Sequence, residues 1–144
     1  MVLLSTTSDA DLSAGNSAVL ICNRELPPLA EVSLLEFPNK WFVGSRDGCS
    51  CGFRHLHTSA VELGFDTPKD WYPEESEDLS ATLEFVGLVR QLLASGAYVD
   101  CIDAWGHESD TPVIAGTRSV DIANMPAEAF RFMENHRFVF GDAV

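Results

Sequence analysis

Leu79-Ser80-Ala81-Thr82-Leu83-Glu84-Phe85-Val86-Gly87-Leu88-Val89-Arg90-Gln91-Leu92-Leu93-Ala94, closed by Ser95-Gly96 and followed by Tyr98-Val99-Asp100-Cys101-Ile102-Asp103-Ala104, is the stretch that decides the fold. Apolar residues recur at helical spacing through its first part. Leu79, Leu83, Val86, Val89 and Leu93 form one stripe, and Phe85, Leu88 and Leu92 widen it. A stripe that broad suits packing against a sheet. Gly96 is placed to cap the helix, because glycine takes the left-handed conformation without steric cost. Strand-like residues then resume at Tyr98, so the segment reads as an αβ unit with a very short turn. The acids of Glu74-Glu75-Ser76-Glu77-Asp78 stand just ahead of the helix. Negative charge there complements the helix dipole, and capping and solvation account for it.

Downstream of this unit, Gly106 to Asp110 reads as a loop and Thr117 to Ile122 as a strand. Asn124 and Pro126 open a short helix to about Glu134, with Phe130 and Met133 facing inward, and Arg137 to Phe140 is a terminal strand. Upstream, Ala18 to Cys22 is a short apolar run consistent with a buried strand, and Leu26-Pro27-Pro28 breaks the chain. Leu29 to Phe37 admits two readings. Leu29, Val32 and Leu35 follow a helical stripe; alternatively Val32 to Phe37 is a strand that turns at Pro38-Asn39 into Trp41-Phe42-Val43. The hairpin is preferred, because Pro suits the second turn position and Trp-Phe-Val is a strong strand signal. Thr67-Pro68-Lys69-Asp70 reads as a capped helical turn. Residues 1–17, rich past Leu4 in Ser, Thr, Asp and Ala, read as a mobile N-terminal arm ahead of a domain over 18–144. The expected fold is α+β: a single-domain open sandwich, with a mostly antiparallel sheet packed against one long and one or two short helices.

The chain's 144 residues suit one domain able to bury a core without staples, and 46% apolar with 22% charged residues excludes wholesale disorder. Its longest apolar run, Ala18 to Cys22, falls far short of a bilayer span. Met1-Val2-Leu3-Leu4 lacks the basic and apolar regions of a secretory signal, so a cytoplasmic location is expected. The formal charge of −13, from 22 acids against 9 bases, repels phosphate backbones and anionic lipid. Nucleic acid and membrane are therefore disfavoured as partners, and a basic protein or a cation is favoured. Solubility is the plain role of such a charge.

Chemistry concentrates in Gly48-Cys49-Ser50-Cys51-Gly52-Phe53-Arg54-His55-Leu56-His57. Cys49, Cys51, His55 and His57 carry the donor atoms of a tetrahedral zinc site. Zinc needs its sulfurs about 3.8 Å apart, whereas alternate residues of an extended strand stand about 7 Å apart, so only a bent loop would serve. The flanking glycines could supply the bend, although C-x-C-x3-H-x-H is not a common structural-zinc spacing. The same C-x-C pair admits a reactive dithiol, with Arg46, Arg54 and His55 as cations able to favour thiolate. An i,i+2 disulfide, however, must reach an allowed Cα separation. Cys22 and Cys101 lie in apolar runs and read as small buried hydrophobes, and reduced thiols fit all four cysteines better than a disulfide framework does.

A third cluster, Asp100, Asp103, His107, Glu108, Asp110 and Asp121, has oxygen ligands suited to Mg²⁺, Ca²⁺ or Mn²⁺. Asp100 and Asp103 should point to opposite faces of a strand, which favours a solvated strand end instead. His136 reads as a surface residue, and Trp41, Trp71 and Trp105 read as core before pocket or interface. There is no G-x-G-x-x-G, no G-x4-G-K-[ST], no G-x-S-x-G and no H-E-x-x-H. The expected function is thus a non-enzymatic protein-interaction or regulatory module without a cofactor. The alternatives are a zinc protein using Cys49, Cys51, His55 and His57, and a thiol-dependent enzyme using the C-x-C motif.

Overall fold

Val2–Thr6 (β1) is the strand around which the sheet is built, so the expected arm over residues 1–17 is corrected from its second residue. The computed structural model describes residues 1–105 and 110–141. All five residues of β1 are buried, because it lies between two antiparallel neighbours, Asn39–Gly44 (β3) and Val99–Asp103 (β5). Ile21–Asn23 (β2) pairs with β3 at one edge. On the other side of β5 comes His136–Phe140 (β8), and then Gly116–Val120 (β6), which runs parallel to β8. The six-stranded order is β2-β3-β1-β5-β8-β6, a largely antiparallel sheet in an α+β domain. Two short strands, His55–Leu56 (β4) and Phe132–Met133 (β7), pair in parallel beside it.

The register lays Trp41, Leu4, Cys101 and Phe138 in one row across four strands, all buried on the same face. The helix Ser76–Ala94 (α1) covers that face. Its buried spine is Ala81, Phe85, Val89 and Leu92, whereas Leu79, Leu83 and Leu93 of the expected stripe are only half-buried. The spine has shifted toward the aromatic residue because Phe85 meets Phe53, Phe130 and Phe132 at ring-centroid distances of 6.2, 5.8 and 4.8 Å. At the C-terminus Gly96 adopts φ +89°, with Gly96 N–H bonded to the Leu93 carbonyl and Ala97 N–H to the Leu92 carbonyl. This is the paired-bond glycine cap that the sequence calls for. Arg90 ties the helix to the chain beyond β6, donating to the carbonyls of Ile122 at 2.8 Å and Met125 at 2.6 Å.

The opposite face carries Leu3, Leu35, Ile102 and Ala104, covered by Leu29, Val32 and Leu34. Ala30–Leu34 is a 3-10 turn, so the preferred hairpin from Val32 through Pro38-Asn39 to Val43 is corrected in favour of the helical reading. β3 finds its partners in β1 and β2 instead, leaving residues 29–35 to shield the second face. Two shorter expectations also change. Lys69 to Tyr72 form a turn closed by Tyr72 N–H on the Lys69 carbonyl, in place of a helix opening at Thr67. The helix expected from Asn124 to Glu134 is confined to Ala127–Ala129, because Phe130 and Phe132 extend to enter the aromatic core. His136 is buried rather than on the surface. No helix among the described residues is long and apolar enough to cross a membrane.

Candidate functional site

Gly44 to Gly52 forms a tight wrap at the end of β3, and the sequence explains why it can. A Cβ on Gly44 would stand 2.8 Å from the backbone carbonyl of Gly48, and one on Gly52 would collide with the Ser45 hydroxyl. The Ser45 hydroxyl bridges the wrap, donating to the Cys49 carbonyl at 2.6 Å and accepting from Gly52 N–H at 3.0 Å. Ser50 is buried, accepts from Val2 N–H at 2.9 Å and donates to the Val43 carbonyl at 2.7 Å. The C-x-C segment is thereby pinned to the central strands.

Within that wrap Ser50–Gly52 makes a 3-10 turn, and Cys49 and Cys51 are joined as a disulfide with their Cα atoms 5.3 Å apart. That separation lies within the ordinary disulfide range, because the turn shortens the i,i+2 distance an extended strand would impose. The backbone N–H of Cys51 also points at Cys49 Sγ, at 3.2 Å. Both residues are exposed. The reading of four reduced thiols is corrected for this pair, while Cys22 and Cys101 are free and buried as expected. Burial raises the Cys22 thiol to about 11 and holds Cys101 well above its ordinary value, so both stay protonated.

The two histidines are held elsewhere. β4 pairs His55 with Phe132, and Arg54 N–H is received by the buried hydroxyl of Thr82 on α1 at 2.9 Å. His55 Nδ1 sits 2.9 Å from the Phe53 carbonyl, and its Nε2 is 3.4 Å from Asp103 Oδ2. His57 is exposed, with Nδ1 3.7 Å from Glu134 Oε2 and its ring 5.8 Å from that of Trp105. The four expected zinc ligands therefore line one pocket, but the sulfurs are spent on each other and each imidazole faces a carboxylate. Among the described residues no three His, Cys, Asp or Glu side chains are disposed to hold a metal ion.

That pocket is half-open and encloses about 450 Å³. Phe53, Tyr72 and Trp105 supply apolar wall, and Glu74, Glu75, Asp78 and Asp103 supply carboxylates. Glu74 is engaged by buried Arg54, with Nε at 2.8 Å from Oε1 and Nη2 at 2.7 Å from Oε2. Arg131 Nη2 lies a further 3.8 Å from Glu74 Oε2. Arg54 is thus a structural residue with its charge neutralised, not the free cation beside the thiols that its position in the sequence suggests. Asp78 titrates above the ordinary carboxylate range because burial disfavours its charge.

Asp103 is the residue whose role the sequence concealed. It is completely buried, lines the pocket, and neither carboxylate oxygen has a hydrogen-bond partner among the described residues. Among the described residues it faces His55 and the amino group of Met1, the latter 3.8 Å from Oδ1. Burial lowers the titration of that amino group, with the charge of Asp103 opposing the effect. The signal was present in the strand itself: Val99, Cys101 and Asp103 alternate onto the helix-covered side of the sheet, so an acid stands where the pattern asks for an apolar residue. Asp100, on the opposite side, bonds to Arg137 at 2.7 and 3.0 Å and to Ser5 Oγ.

The oxygen-ligand cluster does not assemble. Asp100 and Asp103 face apart, Asp121 accepts from its own turn through Asn124 Nδ2 at 2.9 and 3.0 Å, and His107 and Glu108 lie outside the described residues. Of the three tryptophans only Trp41 is core; Trp71 is 68% exposed and Trp105 41%. Compared with known proteins, the chain matches no family, and no curated protein or solved structure is significantly similar to it. Fold and site define only a class, that of a small acidic α+β protein with a carboxylate-rich, aromatic-walled pocket bearing a disulfide at its edge.

Proposed function

We propose that this protein is a non-enzymatic interaction module whose pocket receives a basic side chain from a protein partner. The observation that carries this reading is Asp103, a buried carboxylate at the wall of an open pocket whose two oxygens have no hydrogen-bond partner among the described residues. Buried polar groups are nearly always satisfied, and a buried carboxylate without donors is costly. An incoming ammonium or guanidinium group in the pocket would be drawn by the field of this charge, which His55 and the Met1 amino group face without hydrogen-bonding. Glu75 and Asp78 add negative potential around it, and the exposed Trp105 adds an aromatic wall of the kind that attracts cations, whereas the Tyr72 ring already takes the Arg131 guanidinium. The net charge of −13 favours encounter with a basic surface and would speed association at low salt.

Calorimetric titration with a peptide rich in Lys and Arg tests the reading. Saturable binding is expected, weaker at high salt and reduced at least about tenfold by Asp103→Asn. Absence of saturable binding, or binding indifferent to Asp103→Asn, would remove the reading.

A further inference from the structure

The pocket edge carries a feature that cation binding does not use. Cys49 and Cys51 are exposed and bonded to each other, while Cys22 and Cys101 are buried with thiols held in the protonated state. The molecule has therefore divided its cysteines into one accessible pair and two inert residues. The pair's geometry is imposed by its surroundings: Ser45 and Ser50 fix Cys49, Ser50 and Gly52 through four hydrogen bonds to backbone groups. Both cysteines line the open pocket, where a second thiol or disulfide can approach.

We propose that Cys49 and Cys51 form a thiol–disulfide exchange centre, whose co-reactants are small thiols of the glutathione class and their disulfides. This inference is independent of the cation-binding reading. In the reductive direction a thiolate RS⁻ attacks Cys51 Sγ. A Cys51–SR bond forms as the Cys49–Cys51 bond breaks, and the bonding pair leaves on Cys49 Sγ. The backbone N–H of Cys51, already aimed at that sulfur, stabilises the new charge. A second RS⁻ then attacks the R-bearing sulfur of the mixed disulfide, releasing RSSR and leaving a thiolate on Cys51. Two electrons pass from two RS⁻ to the pair, and the two protons lost by RSH end on the two cysteines. Oxidation runs the same steps in reverse. Cys49 is the leaving sulfur because the departing charge there receives the Cys51 N–H.

The experiment equilibrates the folded protein over a series of reduced-to-oxidised glutathione ratios. It then quenches with acid, alkylates, and counts modified cysteines by peptide mass mapping, with near-UV circular dichroism confirming that the fold persists. Cys49 and Cys51 are expected to switch together from blocked to alkylated as the ratio rises. Cys22 and Cys101 are expected to react only after denaturation. Mixed disulfide with glutathione should accumulate on Cys51 in Cys49→Ser. In the reduced wild type, Cys49 should alkylate roughly three- to tenfold faster than Cys51 at neutral pH, because the Cys51 N–H stabilises charge on the Cys49 sulfur. Two free thiols at every ratio, or a pair that stays blocked at every ratio while folded, would overturn the proposal. A variant that cannot form the mixed disulfide would overturn it as well.

Discussion

Arg54 uses all five of its side-chain donors. Nε and Nη2 clamp Glu74, Nη1 reaches the carbonyls of Phe130 and Glu128, and Nη2 also reaches that of Asp66 at 3.0 Å. One buried cation thus gathers the chain before α1, the turn before β7 and the segment before β4. Such a pair contributes little net stability relative to an apolar substitute, but breaking it leaves an uncompensated buried charge. Glu74→Gln is therefore expected to destabilise the protein by about 3–5 kcal/mol, read as a lowered urea midpoint at unchanged slope. Asp103→Asn should behave differently. Relief of a buried charge without hydrogen bonds among the described residues offsets loss of its ion pairs with His55 and the Met1 amino group, so its neutralisation should change stability by no more than about 1 kcal/mol while weakening affinity for a basic peptide. Two acids lining one pocket are thereby separated, one holding the fold and one offered to a ligand. Equal stability losses for both variants would refute that separation.

The wrap from Gly44 to Gly52 is where element geometry and chemistry meet. Gly52→Ala would drive a Cβ into the Ser45 hydroxyl, breaking the bridge between Cys49 and Gly52. The turn must open, at an expected cost of about 1–3 kcal/mol, and the fraction of protein with Cys49 and Cys51 bonded should fall at a fixed glutathione ratio. An unchanged disulfide fraction would show that the wrap does not hold the pair. How legible each element was follows from how local its causes are. α1 and its glycine cap were readable because helical spacing and capping act within a few residues. The bend at Cys49 was readable from Gly48 and Gly52, and Gly48 indeed adopts φ +71°. β1 was hidden because its apolar residues give way at once to a polar stretch, and its neighbours β3 and β5 arrive from far along the chain. The pairing of Asp103 with His55 was hidden for the same reason: β4 is fixed by β7, which the sequence presented as part of a helix. Residues 29–35 were ambiguous because a single turn carries too few periods to separate helix from strand.

At the scale of the whole molecule, the sheet's buried thiols give stability a defined alkaline limit. Cys22 sits on β2 and Cys101 at the centre of β5, so burial of the sheet's helix-side face protects both from ionising. For Cys22 the folded value is raised from 9.0 to about 11. Below the unfolded value both states hold the proton and stability is intact. Above it the unfolded chain releases the proton first, so stability is lost as pH rises toward the folded value. Cys22 alone should account for about 2–3 kcal/mol between roughly pH 9 and 11, with Cys101 extending the loss to higher pH. The net charge of −13 also opposes folding in this range through self-repulsion. The contributions separate by substitution. Urea midpoints measured across this window should fall more gently in Cys22→Ala than in the wild type, and more gently still when Cys101→Ala is added. The comparison rests on slopes, since each alanine also shifts stability at neutral pH through lost packing. Parallel curves for all three proteins would assign the alkaline limit to surface repulsion and exclude the buried thiols as its cause.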